Sequence, residues 1–192
     1  TPTKAGVLAR HRILASVHYI NSRLEDPKSR EEVLRAVEEA DECIQLAPDS
    51  PVDQLNLAIC YLRQFDERRY ESSGKDAPGN LQNHPESDWI SKAKPILTNA
   101  IAILDRVRLA APSLAAAQFH AAMAEVRRGK LEAADENSDW KLKFTDAAKK
   151  YIALEDRSSA VRYHYGMLEF KSGKYKESEV SLRRAVELDP NH

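Results

Sequence analysis

Little in this sequence builds cross-links, strands or a surface of one charge. Two cysteines occur in 192 residues, Cys43 and Cys60, and neither stands in a CxxC pair or at a metal-ligand spacing. Both fall inside apolar helical stretches, where a free thiol packs as a small hydrophobe, and a chain of this length needs no disulfide. Glycine is sparse at six residues and aromatics at 7%, and runs of β-branched residues are rare. Ala, Leu, Glu, Lys and Arg dominate, which favours helices. The net charge of -1 suggests no polyanion partner. Arg127-Arg128 and Arg183-Arg184 alternate with acids on the same helices and read as solvated faces, not as the basic stripe with interleaved aromatics that nucleic acid requires. No apolar run approaches the ~18 residues of a membrane span, so no membrane insertion is expected. The chain opens at Thr1 without Met, as expected of a piece excised from a larger protein, and shows no signal peptide.

Catalytic patterns are missing as well. Ser73-Gly74-Lys75 lacks the upstream glycine of a phosphate-binding loop. No HExxH, GxSxG or Cys-His constellation occurs, and His11 and His18, seven residues apart, have no third ligand to complete a metal site. The acid pairs Glu31-Glu32 and Glu38-Glu39 lie among arginines on one helix face. The expectation is a protein that is not an enzyme, with no cofactor and no metal.

What is present is helix punctuation. Val7, Leu8, Ile13, Leu14, Val17, Ile20 and Leu24 recur at steps of three and four, predicting an amphipathic helix over 4–24. Pro27 stops it, and Ser29 with Glu32 reads as a capping box for the next helix, which closes at Leu46-Ala47-Pro48. Ser50-Pro51 restarts the pattern with an N-cap serine and a first-turn proline. Residues 66–88 break the periodicity and read as a polar loop. A helix follows from near Trp89 to Ala111, with Pro95 at its start or kinking it. Pro112-Ser113 restarts once more, Gly129 reads as a helix end, and 135–139 is a short acidic interruption. A helix through Trp140, Phe144 and Ile152 precedes the last pair, opened by Ser158-Ser159 and turned at Ser172-Gly173-Lys174. The sum is all-α: eight helices in four antiparallel pairs.

Tyr165-Gly166, Phe170, Gly173, Tyr175, Leu182, Ala185 and Leu188-Asp189-Pro190 resemble the tetratricopeptide repeat, a unit of about 34 residues. In that pattern a small residue on the first helix admits a bulky one from the second. Ser178 and Glu169 depart from it, standing where Ala and Tyr are preferred. Ala122 and Gly129 answer to Gly166 and Gly173, Leu57-Ala58 with Tyr61 marks the second unit, and Ala36, Ala40 and Cys43 mark a weaker first. Pro48 to Pro112 spans 64 residues and Pro112 to Pro190 spans 78, which are one repeat plus about 30 and two repeats plus about 10. Those excesses coincide with the interruptions at 66–88 and 135–139. A single repeat domain over 1–192 follows, with units near 4–48, 50–112, 113–158 and 159–192.

The resemblance implies an α-solenoid, a right-handed superhelix whose concave face is lined by the first helix of each pair. Its groove would carry Val52, Leu55, Ile59 and Leu62, then Ala116, Phe119, Met123 and Val126, then Ala160, Tyr163, Met167 and Phe170. Such an apolar groove suits a peptide or amphipathic helix of another protein, or is covered by an inserted loop, a flanking segment or a neighbouring chain. Asn56, His120 and His164 share the sixth position of their units and would form a polar ladder beside it, pH-sensitive through histidine. The residues by which some family members grip acidic chaperone tails are missing, apart from Asn56. The functional expectation is a protein-binding scaffold; the alternatives are a self-assembly module, or a non-catalytic domain attached to an enzyme or secretion machine.

Overall fold

The computed structural model describes residues 3–22, 29–72, 86–132 and 138–190. Among them lie eight helices and no strand: α1 Lys4–Asn21, α2 Ser29–Leu46, α3 Pro51–Ser72, α4 Glu86–Ala110, α5 Ala115–Leu131, α6 Trp140–Leu154, α7 Ser159–Lys171 and α8 Tyr175–Leu188. Each packs on its neighbour as an antiparallel pair, α1 with α2, α3 with α4, α5 with α6 and α7 with α8. The sequence leads to the expectation of a single repeat domain; the chain divides into two compact units, Thr1–Ala110 and Ala111–His192, with two of these helix pairs in each.

Local chemistry explains most boundaries. The Asp53 N–H donates to Ser50 Oγ at 3.3 Å and the Val161 N–H to Ser158 Oγ at 3.2 Å, so both serines cap as expected. Ser29 does not. It is the first residue of α2, its hydroxyl donates to the Ser22 carbonyl at 2.8 Å, and Glu32 reaches His18 Nδ1 at 2.8 Å, so both halves of the anticipated capping box are spent on α1. Helix occupies both ends of the stretch expected as a loop over 66–88: α3 continues to Ser72 and α4 begins at Glu86, with Pro95 inside it. Residues 73–85 and 133–137, which hold the rest of both expected interruptions, lie outside the described residues, as do Leu24 and Pro27.

In unit 1 the core gathers Val33, Ala36, Ala40, Leu57, Phe65, Leu97 and Leu104. Burying each large side chain contributes about 1.5–3 kcal/mol. Small residues let helices approach. Ala15 and Ala58 are buried on the first helices of the two pairs. In unit 2, Ala122 is buried likewise, and a Cβ added to Gly166 would stand 2.8 Å from Leu182 Cγ. Gly173 turns the last pair at φ +76°. Gly129, expected to do the same for the preceding pair, is instead inside α5. There an added Cβ would lie 2.6 Å from the Trp140 ring, so that glycine admits an indole. Both departures from the repeat pattern are satisfied within the last pair: Ser178 Oγ donates to the Gly166 carbonyl at 2.9 Å, and Glu169 Oε2 accepts from Ser181 Oγ at 2.8 Å.

Candidate functional site

In unit 1, α2 packs against both α1 and α3, while α1 and α3 are joined chiefly by two polar bridges. At one end Arg12 grips Asp53 in two-pronged fashion, Nε to Oδ1 at 2.8 Å and Nη2 to Oδ2 at 2.5 Å. At the other, Arg63 donates to the Ser22 carbonyl and also pairs with Glu67 on its own helix. Each pair of anchors is ten residues apart on its helix, so the two helices run parallel and frame a slot about 15 Å long. Between the bridges is a cavity of about 220 Å³, with Ala15 and Ser16 on one wall, Asn56 and Ile59 on the other, and Ala40 and Cys43 from α2 as its floor.

The electrostatics of this recess are internally balanced. Asp53 is 1% exposed, yet its carboxyl is held below the usual carboxylate range, first by the hydrogen bond from Arg12, against the opposing cost of burial. Cys60 also lines the cavity, and burial pushes its thiol up to about 12; Cys43 is raised by the same cause. Both cysteines are free and stay protonated at neutral pH, so neither is a nucleophile or a thiolate ligand.

Of the five unit 1 residues expected in or beside a groove, Asn56 and Ile59 line the recess and Val52, Leu55 and Leu62 do not. Leu55 and Leu62 are 6% and 3% exposed and belong to the core. The reason is the framing: α3 is flanked by α2 and α4, and its wider apolar stripe turns inward to meet them. Arg12, Ser16 and Tyr19 supply the facing wall and were missed from sequence. Buried Ala15 is the signal that finds them. It occupies the same place in its helix as Ala58, Ala122 and Gly166, and that register puts Arg12, Ser16 and Tyr19 at the fifth, ninth and twelfth positions of the first unit.

In unit 2, α7 packs against both α5 and α6. A second cavity, of about 170 Å³, lies among Val126, Gly129, Trp140, Phe144, His164 and Met167. His164 is ringed by aromatics, edge-on to Phe144 at 6.5 Å and to Tyr163 at 5.4 Å. Phe119 stacks on Tyr151 at 5.6 Å in a tilted arrangement and is half-buried, as is Met123. Phe170 remains 53% exposed and meets Tyr175 at 5.4 Å. His120 departs from the expected pH-sensitive ladder: burial, reinforced by Arg127, pushes it down to about 4, so it is neutral across the physiological range. His11 and His18 pair with Glu39 and Glu32, clasping α1 to α2. No group of three His, Cys, Asp or Glu side chains able to hold a metal ion occurs among the described residues. No helix among them is long and apolar enough to cross a membrane.

No family model matches the sequence, and no curated protein matches it. Solved structures do. TTC0263, described as a thermophilic TPR protein in Thermus thermophilus, matches with a TM-score of 0.54 at 16% identity, over 96% of this chain and 86% of that one. MamA from Desulfovibrio magneticus RS-1 matches with a TM-score of 0.41 at 17% identity, over 97% of each chain. The fold is tetratricopeptide-like and all-α, with four helix pairs among the described residues, as the C-terminal repeat motif implied.

Proposed function

We propose that this chain is a protein-interaction scaffold whose helix pairs offer apolar recesses to a peptide or helix of a partner protein. The slot between α1 and α3 carries the reading. It is bounded by salt and hydrogen-bond bridges at both ends, floored by Ala40 and Cys43, and open beside Ile59 and Asn56. Its cavity of about 220 Å³ exceeds the roughly 150 Å³ in which an apolar cavity holds benzene, so it has room for one bulky apolar side chain. The Asn56 carboxamide at its edge carries both a donor and an acceptor for a peptide group. In unit 2 the cavity beside His164 and Met167 offers a second apolar contact of the same kind. Selection of peptides from a displayed random library, with Ile59→Glu and Met167→Glu chains as counter-selectors, tests the reading. The expected yield is peptides with apolar anchors that prefer the wild-type chain; a library that never enriches, or enriches equally on both variants, contradicts it.

A second reading, self-association, is favoured by a specific observation. Ile13, Val17 and Ile20 form an exposed apolar stripe on α1, and Val180 and Val186 are exposed on α8. Association through these faces would bury them against another copy.

A further inference from the structure

We propose that Asp53 sets the ligand class of the unit 1 recess: by neutralising Arg12 inside the wall, it makes the site accept an uncharged apolar side chain and reject an acidic one. This inference rests on the reading of the recess as a partner-binding site. Arg12 is half-exposed and stands at the cavity's edge, where a guanidinium by itself would recruit a carboxylate. It is not by itself. Both oxygens of Asp53 accept from it, and Asp53 is almost wholly buried on α3. The remaining lining side chains, among them Ser16, Tyr19 and Asn56, carry no formal charge.

An entering carboxylate therefore meets a guanidinium whose two best-placed donors are taken, backed by a fixed negative charge. Its own desolvation goes uncompensated, and like charges face each other. An entering ammonium fares no better, because the carboxylate that would receive it is buried and fully engaged. What the recess does reward is removal of apolar surface from water against Ala15, Ala40, Cys43, Ile59 and Cys60. The salt bridge thus acts twice, holding α1 at its distance from α3 and cancelling the charge that would otherwise choose the ligand.

Two probes that share a side chain and differ in charge isolate this role: N-acetyl-phenylalaninamide, which is neutral, and N-acetyl-phenylalanine, which is an anion at neutral pH. Each is titrated into the full chain while the NMR signals of Ala15, Ala40 and Ile59 are followed. The wild-type chain is expected to bind the amide about ten-fold more tightly than the acid. Asp53→Asn keeps the shape and leaves Arg12 without its counter-charge, so the acid gains and the ratio falls to one or below. The double variant R12Q/D53N removes both charges and restores the preference for the amide; it also serves if Asp53→Asn alone does not fold. A wild-type chain that takes the acid as well as the amide overturns the proposal, as does a ratio that Asp53→Asn leaves unmoved. Amide-induced shifts confined to the Met167 and His164 cavity also overturn it, while leaving the chain a peptide-binding scaffold; failure of that broader reading would show in the library selection.

Discussion

Gly173 and Gly129 hold equivalent places in their repeats, and each is a glycine for a different reason. At Gly173 the backbone is left-handed, with φ +76° and nothing within 4 Å of an added Cβ. Gly173→Ala is therefore expected to cost about 1–2 kcal/mol from backbone strain alone, in any surrounding sequence. At Gly129 the backbone is helical and the obstacle is the Trp140 ring. Gly129→Ala gains up to about 1 kcal/mol of helix propensity and loses about 1–3 kcal/mol to overpacking, a net destabilisation that should vanish or reverse when Trp140 is replaced by Leu. A double-mutant cycle by urea unfolding separates the two cases: coupling to Trp140 for Gly129, none for Gly173. His120 makes a third prediction. Its folded pKa, pushed down to about 4 by burial and then by Arg127, lies below the ordinary histidine value of about 6.5. The unfolded chain therefore binds the proton first, and stability falls as pH drops from about 6.5 towards 4. His120→Gln should flatten that part of the stability–pH curve, and a histidine NMR titration should find His120 uncharged at pH 6.

At the scale of elements, the bridge between α1 and α3 has a pH signature of the opposite origin. Arg12 holds Asp53 below its ordinary carboxylate range, so the pair's stabilisation is complete above about pH 4 and is lost as pH falls through the depressed folded value. Asp53→Asn should lower stability at pH 7 and lose less of it between pH 4 and 2 than the wild type does, as acid unfolding followed by circular dichroism would show. The elements themselves were largely legible in the sequence. Ser50-Pro51, Pro48, Pro112 and Ser158 mark helix ends by local rules, and the structure keeps them. Misreadings arose where a side chain found a distant partner. Ser29 and Glu32 match a capping box, yet Ser22 and His18 on the preceding helix claim them. Gly129 reads as a turn until Trp140 is seen to occupy the space it leaves. The lining of the recess was legible in part for the same reason. Repeat positions put Asn56 and Ile59 on one face of α3, and both line the cavity, but burial of Leu55 and Leu62 depends on which helices flank α3, and the opposite wall needs the register of a first repeat that Ala15 reveals.

For the whole molecule, the two proposed roles draw on different apolar surfaces: capture of a partner would use the recesses, and association of the chain with itself would use the stripes on α1 and α8. Val17→Glu and Val186→Glu change one exposed stripe each without touching the cavity linings. If α1 of one copy meets α8 of another, each variant alone should stay monomeric beyond a dimer-forming wild type, and an equimolar mixture should give one-to-one dimers by light scattering, since the mixture still holds one intact face of each kind. A wild-type chain that remains monomeric at every concentration removes self-association. Calorimetric titration of a library-selected peptide into wild-type and Ile59→Glu chains tests whether the α1–α3 recess seats a partner's apolar side chain. Ile59→Glu is expected to lose about ten-fold or more in affinity with the helical circular dichroism unchanged. Equal affinity for the two chains would contradict it.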